Sequence, residues 1–185
     1  MTNNLITELI YSELDEELGP SPKVCIPPNL TDKVQMLVSV KTVTLLAGEE
    51  NYIPEDLSIT PFPSIEKKGL VKYIQWEDEE KRGKIARAAL TVMFKNEDDA
   101  VFYKYIKHLE DLFEDVSQKL IALERSEAGD DEFRNTLIQF KENLGKFLEE
   151  LREKELTEEE AFPEKEQKDV RSFTFKVIVC GDPNV

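Results

Sequence analysis

The sequence predicts an α/β fold of the α+β kind. A five-stranded, mainly antiparallel sheet is expected between one helix on one face and two on the other, with a stray strand near the C-terminus. Three observations predict it. Segments run strand, strand, helix, three strands, two helices. The strands carry apolar residues on both faces, so both faces need a cover. The last two helices of the series are long and amphipathic.

The chain has 185 residues, enough for one ordinary domain and a tail. Hydrophobic residues make up 40%, which argues against a wholly disordered chain. Lys and Arg number 24 against 39 Asp and Glu, a net charge of -15. That balance disfavours a general nucleic-acid binder, which neutralises phosphates with basic side chains. It also disfavours nonspecific adhesion to an anionic membrane. The two cysteines, Cys25 and Cys180, suggest neither a disulfide framework nor a zinc site. The start, Met1 to Glu8, lacks a basic region and a continuous apolar core, so no signal peptide is read. A cytoplasmic protein with no transmembrane segment is expected.

The elements follow in order. Leu5–Leu14 reads as a strand with Leu5, Leu9 and Tyr11 on one face and Ile6, Ile10 and Leu14 on the other. Leu18-Gly-Pro-Ser-Pro22 is a turn signal, and Lys23–Ile26 a short second strand stopped by Pro27-Pro28. Thr31 can cap a helix that Gly48 can end. Its wide apolar arc, with few charges, predicts a mostly buried helix. Asp56–Phe62 is extended, but Pro61 and Pro63 make it an edge strand. Gly69–Trp76 sets Leu70, Ile74 and Trp76 against Val71, Tyr73 and Gln75. A charged turn leads to Ile85–Phe94, whose alanines allow a helix close approach.

Asn96 can cap a long helix with apolar residues from Phe102 through Leu123 at spacings of three and four. After a break at Ser126–Asp130, Phe133, Leu137, Phe140, Leu144, Phe147 and Leu151 mark a second helix. That helix either packs beside the first or pairs with another chain. The stretch from Arg152 to Lys168 is mostly Glu and Lys and reads as a solvated linker, part helix and part disordered.

No side-chain constellation suggests catalysis. His108 is the sole histidine and reads as a surface or packing residue, so no triad can be assembled. Asp15 and Glu17 read as a solvated turn rather than an acid–base pair. Lys67, Lys68, Lys72, Lys81, Arg82, Lys84 and Arg87 form either an anion-binding patch or charge compensation within an acidic protein. Trp76 is an interface anchor or sheet-end packing.

The element order and the opening Glu13-Leu-Asp-Glu-Glu-Leu-Gly-Pro-Ser-Pro22 resemble the longin fold, over about residues 4–126. The related roadblock fold opens with a helix instead. The longin resemblance implies a non-enzymatic module that binds protein partners, self-associates and helps control small GTPases. The route would be an exposed sheet edge or the groove beside the single helix. The edge candidate holds Leu57, Ile59 and Phe62, and its prolines are equally readable as protection against wrong pairing.

The tail carries the sharpest chemical signal. Phe173–Cys180 is an apolar β-run, followed by Gly181, Asp182, Pro183, Asn184 and Val185. A P-loop reads G-x-x-x-x-G-K-[ST] after a buried strand. These residues supply the strand, the first glycine and the four intervening positions. They resemble the first strand and P-loop of Ras-like (Rab/Arf-type) small GTPases. The alternative is a strand that docks back onto the sheet. The partial motif lacks the lysine and hydroxyl that hold phosphate and magnesium, so no cofactor is expected on this chain. GTP and Mg would belong to a complete parent protein.

The expected organisation is a longin-like interaction domain over 1–151, a charged linker over 152–171 and a partial GTPase start over 172–185. It resembles archaeal longin–GTPase proteins related to trafficking systems. Expected partners are a small GTPase, its own G domain or a second copy, with any membrane association peripheral and through partners. The alternative is a free-standing roadblock- or longin-type adaptor that dimerises or binds a separate GTPase.

Overall fold

A computed structural model describes residues 5–15, 17–44, 54 and 56–161, without the side chains of residues 82, 152 and 155–161. The chain divides into two compact units, Met1–Glu149 and Glu150–Val185. The first holds five strands: β1 (Glu8–Asp15), β2 (Gly19–Ile26), β3 (Ser58–Phe62), β4 (Lys67–Glu77) and β5 (Ile85–Lys95). Helix α1 (Asp32–Thr44) lies between β2 and β3 in sequence, and α2 (Asp99–Arg125) and α3 (Asp130–Ala161) follow β5. All pairings are antiparallel, in the order β2-β1-β5-β4-β3. The predicted five-stranded antiparallel sheet is therefore present. The predicted C-terminal strand lies outside the described residues.

The strand alternation builds two unlike layers. On one face Leu9, Tyr11, Val24, Leu70, Ile74, Leu90, Val92 and Phe94 pack against Phe102, Leu109, Phe113 and Leu120 of α2 and Phe133, Leu137, Phe140 and Leu144 of α3. Phe94 stacks on Phe102, Tyr11 stacks on Phe133, and Phe113 meets Phe140 edge-on. On the other face Ile10, Cys25 and Met93 meet Val38 of α1, and Val71, Tyr73 and Ala89 meet Val43. The predicted face assignments on β4 hold. On the N-terminal segment Leu9, Tyr11, Ile10 and Leu14 fall as predicted, but Ile6 joins Leu5 in the α2/α3 layer. The strand starts at Glu8, so strict alternation does not reach back to Ile6.

Gly69 is a point of close packing in the sheet. A Cβ there would stand 2.7 Å from Thr91 Cγ2 and 3.0 Å from Phe62 Cε2. The missing side chain is what lets the Phe62 ring lie across β4.

Among the boundaries that differ from expectation are those of β2, α2 and α3. Strand β2 begins at Gly19 and includes Pro20 and Pro22, which the composition placed in a turn. As a sheet edge, β2 can present the donorless prolines outward, and its register with β1 shifts between Tyr11 and Ser12. Asn96 does not cap α2. It opens a 3₁₀ turn, Asn96–Asp98, ahead of Asp99. Helix α3 continues past Leu151 to Ala161, through part of the expected linker. Its Glu, Lys, Leu and Ala are good helix formers, and no proline intervenes before Pro163.

The α2–α3 turn is a Schellman ending. Ala128 N–H donates to Leu123 O at 3.0 Å, and Glu127 stands at φ 51°.

Candidate functional site

The three edge residues singled out from the sequence are placed unequally. Leu57 and Phe62 are buried, Phe62 at 1% exposure, and Ile59 is half-buried against the α2/α3 layer. The Phe62 ring is thus part of the core beneath α1 rather than an exposed anchor.

The backbone of β3 explains what its edge can do. Pro61 is opposite Lys68. Without an N–H it cannot occupy a hydrogen-bonded pair, so its row faces away from β4. By the alternation of an antiparallel ladder Ile59, opposite Leu70, faces the same way. The Pro61 carbonyl is taken by the Lys41 ammonium of α1, which also lies 5.1 Å from the centroid of the Phe62 ring. The outward row therefore offers the Ile59 peptide, a proline and an occupied carbonyl, which is a poor template for strand addition.

Helix α1 presents the other candidate surface. It was expected to be mostly buried, but Met36 and Val40 are 44% and 45% exposed. They stand one turn apart on its outer side, beside the half-buried Leu37. The apolar arc is wide, but a single sheet face covers only one side of a helix.

A groove of about 500 Å³ lies at the other end of the sheet, lined by Glu13, Lys23, Trp76, Lys81, Arg125 and Glu127 among others. Part of its wall is a set of paired groups. Glu124 accepts from Tyr11 Oη at 3.0 Å and from Lys23 Nζ at 2.6 Å, and Lys23 also reaches Glu13 at 3.4 Å. Burial and the Glu124 charge hold the Tyr11 phenol far above its ordinary pKa. Burial opposes charge on Lys23, but Glu124 and Glu13 outweigh it and raise its pKa. Trp76 is half-buried and packs against the α2/α3 layer. Local sequence patterning carries no sign of this network, because Tyr11 and Glu124 are 113 positions apart.

The basic residues resolve largely into compensation. Lys67 pairs with Glu8, Lys68 with Asp99, Lys72 with Glu114 at 3.2 Å and Lys84 with Glu79 at 2.6 Å. Asp15 accepts the backbone N–H groups of Leu18 and Glu17, which lower its pKa, so the Asp15–Glu17 pair is a turn. His108 is exposed, edge-on to Tyr105. Cys25 is buried, and burial raises its thiol pKa to about 11. Among the described residues no cluster of three or more His, Cys, Asp or Glu side chains could hold a metal ion, and no helix is long and apolar enough to cross a membrane. Gly181, Asp182, Pro183, Asn184 and Val185 lie outside the described residues.

No protein-family model matches the chain, and no curated protein matches it.

Proposed function

We propose that the chain is a protein-interaction module of the longin-like kind attached to a Ras-like GTP-binding unit, which it regulates or localises through protein contacts. One observation carries the proposal: the element order β-β-α-β-β-β-α-α on an antiparallel sheet ordered β2-β1-β5-β4-β3, one helix against one face and two against the other. It is supported by the run Phe173–Cys180 and the Gly181–Val185 sequence, which match the strand and first half of a P-loop. The exposed Met36 and Val40 supply an apolar contact on α1 with the one-turn spacing that helix-mediated docking uses.

The decisive experiment starts from the gene. The frame after Val185 should encode Gly-Lys-Ser or Gly-Lys-Thr, and a chain extended through that G domain should bind mant-GTP with micromolar affinity or better. Residues 1–185 alone should not. A different continuation sinks the GTPase assignment. The second reading, a free-standing adaptor, rests on the same exposed pair on α1. It requires concentration-dependent association of residues 1–185 by light scattering, reduced by Met36→Glu.

A further inference from the structure

We infer that α1 is a lid that lifts from the sheet while the β-sheet and the α2/α3 layer stay folded. The argument rests on the difference between the two interfaces. Helix α1 buries Val38 and Val43 together with the hydroxyls of Ser39 and Thr42, and the sheet beneath it buries the hydroxyls of Ser12 and Thr91 beside Ile10, Phe62, Val71, Ala89 and Met93. Burying a hydroxyl contributes little of the stabilisation that burying a methylene does. The Ser39 and Thr42 hydroxyls bond back to Gln35 O and Val38 O of their own helix. One hydroxyl contact, Ser12 Oγ to Ser39 Oγ at 2.7 Å, crosses the interface. Thr91 Oγ1 is buried with no hydrogen-bond partner among the described residues. The large apolar side chains Met36 and Val40 point away from the sheet.

The opposite face is held by more apolar bulk, although its buried Ser117 hydroxyl likewise bonds back to Phe113 O of its own helix. Its helices contribute four buried phenylalanines, Phe102, Phe113, Phe133 and Phe140, and ion pairs bind α2 to the sheet through Lys23, Lys68 and Lys72. Among the described residues no ion pair ties α1 to the sheet; its Lys41 bonds to a backbone carbonyl. Elements with few buried apolar contacts open at a lower free energy than the global fold. With α1 lifted, Ile10, Cys25 and Met93 would face solvent.

The chain carries its own reporters. Cys25 lies under α1, and Trp76, the only tryptophan, packs on the other layer. With Cys180→Ser, Cys25 is the sole thiol, and its modification by a disulfide reagent in native buffer reads the opening. The expected labelling is at least about tenfold faster than the global unfolding equilibrium followed by Trp76 fluorescence allows. Its dependence on urea should be shallow, because a local opening exposes little surface. Peptide-resolved hydrogen exchange on the unmodified chain should show Val34–Thr44 exchanging through the same shallow opening, with β1 and β5 protected. Labelling that follows the steep urea dependence of Trp76, no labelling short of global unfolding, or equal protection of α1 and β5 would each overturn the lid.

Discussion

Tyr11 Oη donates to Glu124 Oε1 at 3.0 Å, and this bond ties the middle of β1 to the last turn of α2. The other carboxylate oxygen accepts from Lys23 of β2 at 2.6 Å. Lys23 lies 4.6 Å from the centroid of the Phe133 ring of α3, on which Tyr11 stacks. One carboxylate thus joins two strands to the point where α2 turns into α3. Its oxygens are both used, so neither the phenol nor the ammonium is left buried without a partner.

Glu124→Ala should therefore cost about 2–3 kcal/mol, the penalty for stranding a buried hydroxyl and weakening a partly buried charge pair. Glu124→Gln keeps the amide oxygen as an acceptor for Tyr11 and should cost less. Urea unfolding followed by Trp76 fluorescence measures both. Equal stability of Glu124→Ala and the parent chain would mean the network contributes nothing.

The same network sets an alkaline limit. Burial first, and Glu124 second, raise the folded pKa of Tyr11, while an unfolded tyrosine ionises near ~10. A raised folded pKa means its contribution is full below the unfolded value and is lost as pH rises beyond it. Lys23 has the same sign. Burial lowers its pKa, Glu124 and Glu13 raise it more, and its contribution fades as pH climbs through the raised folded value. Stability should fall as pH rises above ~10, by up to ~1.4 kcal/mol per pH unit for each proton involved. Tyr11→Phe should be less stable at neutral pH but show a shallower alkaline decline. Parallel pH profiles for the two chains would remove Tyr11 as a cause.

The sheet was legible because alternation and helical spacing are local. Val71 against Leu70, or Phe102 with Leu109, can be assigned to faces from neighbours alone. The prolines of β2 misled because Pro20 and Pro22 read as a turn until the strand is known to be an edge. The candidate surfaces were less legible for a related reason. Phe62 sits between two prolines in a segment that looks exposed, yet its ring is buried by the space Gly69 leaves two residues along β4 from its partner Lys67. That depends on cross-strand register, which no single segment encodes. Met36 and Val40 are exposed because of what covers α1, not because of their own sequence.

Gly69→Ala tests that register. The added Cβ would stand 2.7 Å from Thr91 Cγ2 and 3.2 Å from Met93 Sδ, both on the central strand, and 3.0 Å from the Phe62 ring. Something buried must shift, at a cost of about 1–3 kcal/mol. Thermal or urea denaturation gives the figure. A second change, Phe62→Leu, should recover part of the loss in the Gly69→Ala background while destabilising the parent, because it removes one of the atoms in the way. Strict additivity of the two would place the ring elsewhere.

Pro61→Val tests the edge of β3. Pro61 faces away from β4, so the substitution removes no ladder bond and should change stability by less than about 1 kcal/mol. It does restore an outward N–H one alternation from Ile59, converting a broken hydrogen-bonding row into a continuous one. Lys41 still covers the Pro61 carbonyl in that variant, so Pro61→Val with Lys41→Ala should go further than either change alone. The expected result is concentration-dependent association by light scattering, strongest in the double variant, with far-ultraviolet circular dichroism unchanged in dilute solution. If the double variant scatters as the parent does up to several hundred micromolar, the prolines and Lys41 do not guard this edge.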